Sequence, residues 1–478
     1  MIGPLTPMRP EVRAAPLPPP GVIACIGLRY PADLPAALDS PWLRLRGVPK
    51  SEGEVLLVPA DPPVFLASLG PSGAADRPAA TRLGAAMASA CAGVSEVALD
   101  LTTFIGVDLQ GLFEGLLLAS YRFDRYRSQP RTPKLAVVHV CGGDSGAVSG
   151  ALSRARTVAR GVCAARDLVN EPGSVATATA IADLAASLGS ETGFSVEAWG
   201  PDRLRAEGFG GLLGVNRGSV AEPRFLILDY APEGATRTLA LVGKGVTFDS
   251  GGLNTKGTRD MTRMKKDMAG AAAVIGAFAT FRDSGVRQRV RGFVPLTDNM
   301  SGPDAMRPGD VLRIRGGKTI EVLDTDNEGR LVLADALAYA AEQAPDLIVD
   351  IATLTGTVAI AIGRGTAALM GNHAGLTDAL LAAGQRTSEV LWPFPLPDDL
   401  RGQIRSEIAD YRNNAELQGF SQIAAALLRE FVPPSIPWAH IDMASSAYLD
   451  AGRHEHPAGA TGWGVRLLLD MVETDAPV

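Results

Sequence analysis

Downstream of Thr177, apolar residues fall alternately at helical and at strand spacing. The spacing predicts helices over Thr177–Leu188, Met261–Phe281, Leu331–Gln343, Thr377–Arg386, Ser421–Phe431 and Thr461–Val472. Between them, Phe194–Trp199, Arg224–Tyr230, Thr238–Gly243, Arg291–Leu296 and Asp346–Ala352 read as strands. Several of these runs are almost continuously apolar, as expected of a sheet covered on both faces. Upstream, Val94–Leu101 alternates in part, as a half-buried strand would. Leu109–Ala119 has helical spacing, and Lys134–Val140 is an apolar run ended by Gly142 and Gly143. Ala147–Val169 reads as one long helix stopped at Asn170-Glu171-Pro172-Gly173. Its Arg154, Arg156, Arg160 and Arg166 are read as a solvated or inter-subunit face. The expected organisation is a Pro-rich arm (1–20), a small α/β domain (21–145), a linker helix (146–170) and a larger α/β domain (171–478). The sheet of the larger domain is expected to be mixed, largely buried and flanked by helices.

Composition narrows this picture. With 478 residues, 46% hydrophobic and 20% charged, the chain is a soluble protein of more than one domain. A net charge of −7 argues against a general nucleic-acid binder. Cys25, Cys91, Cys141 and Cys163 are scattered, without metal-ligand spacing or a disulfide framework, which fits a reducing cytoplasm. The seven prolines among the first twenty residues exclude a regular helix and do not resemble a signal peptide. The most apolar long stretch, Ile348–Ile362, is broken by Asp350, Thr353, Thr355 and Thr357 and is too short to span a bilayer. His139 sits in an apolar run and is expected in the core.

Two segments carry the candidate chemistry. Asp324-Thr-Asp-Asn-Glu-Gly-Arg-Leu331 packs three carboxylates and one guanidinium ahead of an apolar helix. Taken alone it could be a solvated loop with helix-capping carboxylates. The second segment, Lys244–Gly257, leaves the end of a strand, where open α/β sheets bind ligands. It lacks the Lys-Ser/Thr ending of a phosphate-binding loop. Asp267 follows, on the expected helix Met261–Phe281, where pairing with Lys265 or Lys266 is the alternative to a functional role. Together Asp249, Asp267, Asp326 and Glu328 supply four carboxylates, enough to hold two divalent cations. None of the five histidines lies near them in sequence, so such a site would be rich in oxygen ligands. Beside such cations Lys244 can be a neutral ligand, while Lys256 and Arg330 stay cationic.

Gly243-Lys-Gly-Val-Thr-Phe-Asp-Ser-Gly-Gly252, Asp267 and Asp324–Leu331 resemble the signature of the leucyl (cytosol) aminopeptidase family. Further matches are Val169-Asn-Glu-Pro, Thr297–Gly302, Arg307–Val311, Ala352–Gly356, Pro437–Asp442 and Gly459–Arg466. Residues 1–145 carry no matching motif. The resemblance implies a two-metal aminopeptidase, acting on Leu and other mainly apolar N-terminal residues, with Zn²⁺ and/or Mn²⁺. Asp249 and Glu328 would bridge the metals, Asp326 would complete one site, and Lys244 and Asp267 the other. A metal-bridging hydroxide would attack the scissile carbonyl, which Lys256 would polarise. Arg330 would hold a bicarbonate acting as general base. Met264, Thr353, Leu354 and Gly356 match positions that bind substrate. A homohexamer acting on peptides in the cytoplasm is likewise implied, with no membrane or nucleic-acid partner.

The chain departs from the family pattern in four places. Asp324 stands where the family usually has Asn, and Asn327 where it has Ala. Asn413–Phe420 replaces a commonly Gly-rich stretch and would alter the cleft wall. Ala444–Ala447 lacks a bulky Met found in some members, which implies a roomier side-chain pocket. Two other classes compete with the peptidase. A metal-dependent phosphoryl-transfer enzyme would use similar carboxylates and cations. A non-catalytic or nucleic-acid-binding relative has only the Arg-bearing helix in its favour.

Overall fold

The computed structural model describes residues 2–28, 34–70, 75–129, 135–415 and 419–474. The chain forms two compact units. One comprises Leu5–Cys163 with Leu449–Gly459; the other comprises Ala164–Tyr448 and the chain from Ala460, together with the residues up to Pro4. Lys134 of the expected strand and Glu416, Leu417 and Gln418 of the Asn413–Phe420 segment lie outside the described residues.

The smaller unit is built on strands β1 (Glu11–Ala15), β2 (Ile23–Leu28), β3 (Val55–Val58), β4 (Val64–Ser68), β5 (Glu96–Asp100) and β6 (Val137–Cys141). Their order is β1-β6-β5-β2-β4-β3, parallel except for the β3–β4 pair. The Pro-rich arm therefore contributes a strand to this sheet. Glu11–Ala15 is the proline-free window between Pro10 and Pro16, so its amides can enter a ladder. Strand β5 was expected to be half-buried, but Val97, Ala98 and Leu99 are buried on both faces. Helices Arg77–Ala90 and Leu109–Ala119 cross at glycines: a Cβ on Gly84 would stand 2.1 Å from the Leu112 carbonyl oxygen. His139 is buried as expected, its Nε2 2.7 Å from Glu96.

The larger unit has strands β7 (Ser195–Trp199), β8 (Arg224–Tyr230), β9 (Thr238–Gly243), β10 (Gly245–Asp249), β11 (Arg289–Asn299), β12 (Val311–Arg313), β13 (Thr319–Glu321), β14 (Leu347–Ala352), β15 (Ala367–Gly371), β16 (Leu391–Pro393), β17 (Tyr411–Arg412) and β18 (Trp438–Asp442). Its main sheet runs β16-β15-β18-β14-β9-β11-β8-β7, with β10 also paired to β11. The centre, β18-β14-β9-β11, is parallel; β15, β8 and β7 join antiparallel, so the sheet is mixed. Strands β12, β13 and β17 form a small sheet of their own.

Strand periodicity sorts the side chains onto two faces. Ala240, Val242, Ile348 and Ala352 pack with Leu333 and Leu337 of helix Gly329–Glu342 in one cluster. Leu333 and Leu337 are fully buried, a gain of about 1.5–3 kcal/mol each. The opposite face receives helix Ala269–Ser284, which lies so close that a Cβ on Gly243 would stand 2.7 Å from the Gly270 carbonyl oxygen. The segment expected as one helix, Met261–Phe281, is broken into helix Thr258–Met261, a 3-10 turn at Met264–Lys266, and helix Ala269–Ser284. Asp267 follows the 3-10 turn, ahead of the long helix, because its side chain is drawn inward (next subsection). Helix Ser145–Asn170 is continuous, but Arg166 is not on a solvated face. It is fully buried and donates from Nε to the Thr461 carbonyl at 2.8 Å. Among the described residues, no helix is long and apolar enough to cross a membrane.

A buried acid ties the Gly329–Glu342 helix to its neighbours. Asp335 is fully buried, accepting from the Leu212 amide and the Arg315 amide at 2.8 Å each. Burial pushes its carboxyl up to about 7. The substitution Asp335→Ala leaves one buried and one partly buried donor without an acceptor and should lower stability by about 2–4 kcal/mol. Urea unfolding of the two proteins checks this; a loss below about 0.5 kcal/mol would contradict it.

Candidate active site

The two acidic segments meet at the carboxyl ends of β9, β10 and β14. Lys244 follows β9, Asp249 ends β10, and Thr353 follows β14. The Asp324–Leu331 segment reaches the same place through the 3-10 turn Thr325–Asn327, which Asp324 caps by accepting the Asp326 amide at 2.9 Å. Glu328 then starts the Gly329–Glu342 helix.

Neutral side chains stitch the segments together. Thr325 donates from Oγ1 to the Gly251 carbonyl at 2.6 Å and accepts from the Asn254 amide at 2.9 Å. Asn254 in turn accepts from the Thr325 amide at 3.0 Å. Asn299, at the end of β11, donates from Nδ2 to Asp249 at 2.9 Å and to the Thr325 carbonyl at 3.0 Å. Two glycines permit the approach. Gly251, with φ +87°, tolerates no Cβ, which would lie 2.8 Å from Asp326 Oδ1. At Gly329 a Cβ would stand 2.6 Å from Lys244 Nζ.

The structure brings together six of the charged residues singled out above, with Thr353 against two of them. Carboxylate oxygens of Asp249, Asp326 and Glu328 lie within 4.8 Å of one another. Asp267 stands outside that trio and is joined to it by Lys244, whose Nζ is 2.7 Å from Asp267 and 3.0 Å from Glu328. Lys244 also donates to the Thr353 carbonyl at 3.1 Å, and Thr353 Oγ1 donates to Asp267 at 2.8 Å. Asp267 is thus paired with Lys244, and the alternative pairing with Lys265 or Lys266 is not what holds it. Lys256 Nζ lies 2.7 Å from Asp249 and 2.6 Å from Asp326.

Lys244, Asp249, Asp267 and Glu328 are all buried. Burial, then the charge of Asp249, raises the Glu328 and Asp326 carboxyls to about 7. Burial raises Asp267 as well. Burial by itself lowers the two lysines, but the surrounding carboxylates outweigh it and raise both. Fully ionised, four carboxylates face two ammonium groups, leaving two negative charges in excess. Glu328 Oε2 is buried and has no hydrogen-bond partner. A dense, anionic, oxygen-rich set with an unsatisfied carboxylate oxygen fits divalent cations.

Arg330 is 1% exposed and is held away from the carboxylates. Its Nη1 donates to the Asn413 carbonyl at 2.6 Å and its Nη2 to Asn327 Oδ1 at 2.9 Å, while the buried Nε has no partner. Burial lowers the guanidinium to about 10, so it remains a cation near neutral pH. An orphaned N–H on a buried cation fits a small oxyanion.

The four residues expected to bind substrate are placed differently. Thr353 contacts Lys244 and Asp267 directly. Leu354 is half-buried, its amide donating to Asp442 at 3.1 Å. Met264 opens the 3-10 turn before Asp267, and Gly356 is exposed just ahead of helix Thr357–Ile362. Four supporting residues were not singled out from the sequence: Asn254, Asn299, Asn413 and Asp442. Asn413 Oδ1 accepts the Leu323 and Asp324 amides at 2.8 and 3.2 Å, and its Nδ2 donates to the Asp324 carbonyl at 2.6 Å. Asp442 also accepts the Thr355 amide and hydroxyl at 3.0 and 2.6 Å. Asn299 and Asp442 lie in runs matched to a family, Asn254 in the Lys244–Gly257 segment and Asn413 at the start of the departing stretch Asn413–Phe420, so the segments were marked in the sequence but not these residues.

Comparison with known proteins agrees with this geometry. Residues 163–469 match the model of the cytosol aminopeptidase family, catalytic domain, and residues 48–130 that of the family's N-terminal domain. The chain is 44% identical over 403 residues to a probable cytosol aminopeptidase of Syntrophotalea carbinolica, covering 82% of this chain and 79% of that protein. Among solved structures, the bottromycin maturation enzyme BotP in complex with Mn is 37% identical with a TM-score of 0.87, covering 95% of this chain and 99% of that one. The cytosol aminopeptidase from Coxiella burnetii is 29% identical with a TM-score of 0.85, covering 97% and 99%. The N-terminal match reaches into residues 1–145, where the sequence offered no recognisable motif. With the catalytic-domain match spanning most of its length, the chain belongs to the cytosol aminopeptidase family and is a peptidase, a hydrolase that removes N-terminal residues.

Proposed function

We propose that this aminopeptidase depends on two divalent cations, Zn²⁺ and/or Mn²⁺, held by Lys244, Asp249, Asp267, Asp326 and Glu328. The observation that carries this reading is the trio Asp249, Asp326 and Glu328, with oxygens within 4.8 Å and Glu328 Oε2 unsatisfied. The Mn complex of BotP supports it. When bound there, the cations supply an activated water and a Lewis acid for the scissile carbonyl.

The chain's own groups account for the rest. Asp249 pairs with Lys256 and Glu328 with Lys244, and these two carboxylates would serve both cation positions. Lys256 has its side chain 15% exposed, the more open of the two, and is the cation able to reach an incoming carbonyl. Its ammonium polarises the carbonyl and steadies the negative charge that develops on the oxygen. The free amine of the substrate is placed at the Lys244–Asp267 end. A chain without a free terminus at that point has no group to put there, which makes the enzyme an exopeptidase. Arg330 holds bicarbonate as the proton acceptor, at the guanidinium edge that includes Nε. Met264, Thr353, Leu354 and Gly356 orient the N-terminal residue, Leu and other apolar side chains being preferred. Homohexameric assembly and a cytoplasmic location complete the proposal; the relative named as a cytosol aminopeptidase supports the latter.

Leucine p-nitroanilide hydrolysis should be abolished by a chelator and restored by Zn²⁺ or Mn²⁺; activity indifferent to chelation would sink the metal reading. Asp249→Ala and Glu328→Ala should each cost at least about 10³-fold in kcat, because each removes a metal ligand. Lys256→Ala should cost about 10²–10³-fold in kcat while metal content, measured by elemental analysis, stays intact. A Lys256→Ala enzyme with near-normal kcat would remove that residue from the mechanism.

A further inference from the structure

Two side chains beside Arg330, Asp324 and Asn327, take no part in the chemistry above. A guanidinium has five N–H donors. Two are engaged, Nη1 with the Asn413 carbonyl and Nη2 with Asn327 Oδ1, and the buried Nε is without a partner. Asn327 is itself held: its Nδ2 donates to Asp324 Oδ2 at 3.2 Å. Asp324 is anchored in turn, its Oδ1 capping the 3-10 turn and its backbone N–H and carbonyl both gripped by the Asn413 side chain.

The order of this relay is fixed by chemistry. An ionised Asp can only accept, so Asn327 must present its NH₂ to Asp324 and its carbonyl oxygen to Arg330. An amide at position 324 has one acceptor oxygen, which the Asp326 amide takes, so its NH₂ would face the Asn327 NH₂ and the contact that holds Asn327 would be lost. Glu328 also attracts the guanidinium. Without the Asn327 contact the guanidinium is free to turn about its Asn413 contact toward Glu328.

We propose that Asp324 and Asn327 are positioning residues that fix the Arg330 guanidinium by its Nη atoms and so keep the Nε edge turned to a small oxyanion, bicarbonate in the reaction above. The proposal rests on the aminopeptidase reading with bicarbonate at Arg330.

The test uses the full-length, metal-loaded enzyme and its Asn327→Ala, Asp324→Asn, double and Arg330→Ala variants. Leucine p-nitroanilide kinetics are measured against sodium bicarbonate at fixed pH and ionic strength. Bicarbonate binding is followed by calorimetry and metal content by elemental analysis. Loss of one charge-assisted hydrogen bond in Asn327→Ala should raise the half-saturating bicarbonate concentration at least about five-fold, with KM and metal content nearly unchanged. Asp324→Asn should raise it by about two- to three-fold, and the double variant should match Asn327→Ala, because Asp324 acts through Asn327. Arg330→Ala should lose the bicarbonate response and keep residual hydrolysis. An unchanged bicarbonate response in Asn327→Ala, or additive effects of the two substitutions, overturns the relay and leaves the peptidase reading standing. A wild-type enzyme that hydrolyses the anilide with no response to bicarbonate overturns the relay together with the anion site. Absence of metal-dependent hydrolysis in the wild type overturns the underlying reading itself.

Discussion

Crowding of like charge in a largely buried site is the constraint on which the larger unit depends. Two carboxylates 4 Å apart repel by about 4 kcal/mol at an effective dielectric of 20, and here Asp249, Asp326 and Glu328 crowd together with Asp267 close by. The protein meets that cost with cations from its own chain. Lys244 lies between Asp267 and Glu328, and Lys256 between Asp249 and Asp326. At each lysine the carboxylates favour the charged form against the opposing effect of burial, and Lys244 would give up its proton to serve as a metal ligand. The remaining excess of negative charge is what suits the centre to metal.

The scaffold holding these acids together is electrically neutral. Asn299, Asn254 and Thr325 join the strand ends to the acidic turn through hydrogen bonds, without adding or cancelling charge. Neutral donors orient a carboxylate while leaving its charge available to a metal. Gly329 and Gly251 do the complementary job of removing volume, so that Lys244 and Asp326 can come within reach. The breaking of the Met261–Phe281 helix belongs to the same economy of space. An unbroken helix would carry Asp267 along its regular spiral, whereas the turn ending at Lys266 lets its carboxylate meet Lys244 and Thr353.

Arg330 is treated differently from the two lysines. They pair with the carboxylates, while the guanidinium is fastened to amide oxygens on Asn327 and Asn413. A cation held by neutral acceptors keeps its charge for a ligand. Asp324 and Asn327 lie on the same hydrogen-bonded path to Arg330.

The sequence by itself determined the α/β class, five of the twelve described strands and the longer helices of the larger unit, and the identity of the charged residues at its centre. Arg224–Tyr230 and Thr238–Gly243 are strands at the bounds their apolar runs predict, because a strand buried on both faces leaves an unbroken apolar run. The family, too, was legible, in the ordered spacing of Lys244, Asp249, Asp267 and Asp324–Leu331. Tertiary structure alone decided what depends on partners distant in the chain. It placed the proline-free window Glu11–Ala15 in a sheet, buried Arg166 against Thr461, and broke a helix to bring Asp267 to Lys244. It also gave Asn299 and Asn413 their roles, since a neutral amide looks alike in any loop until the groups it bridges are known. Local pattern reports which face of an element avoids water; it does not report which side chains from separate elements will share one buried charge.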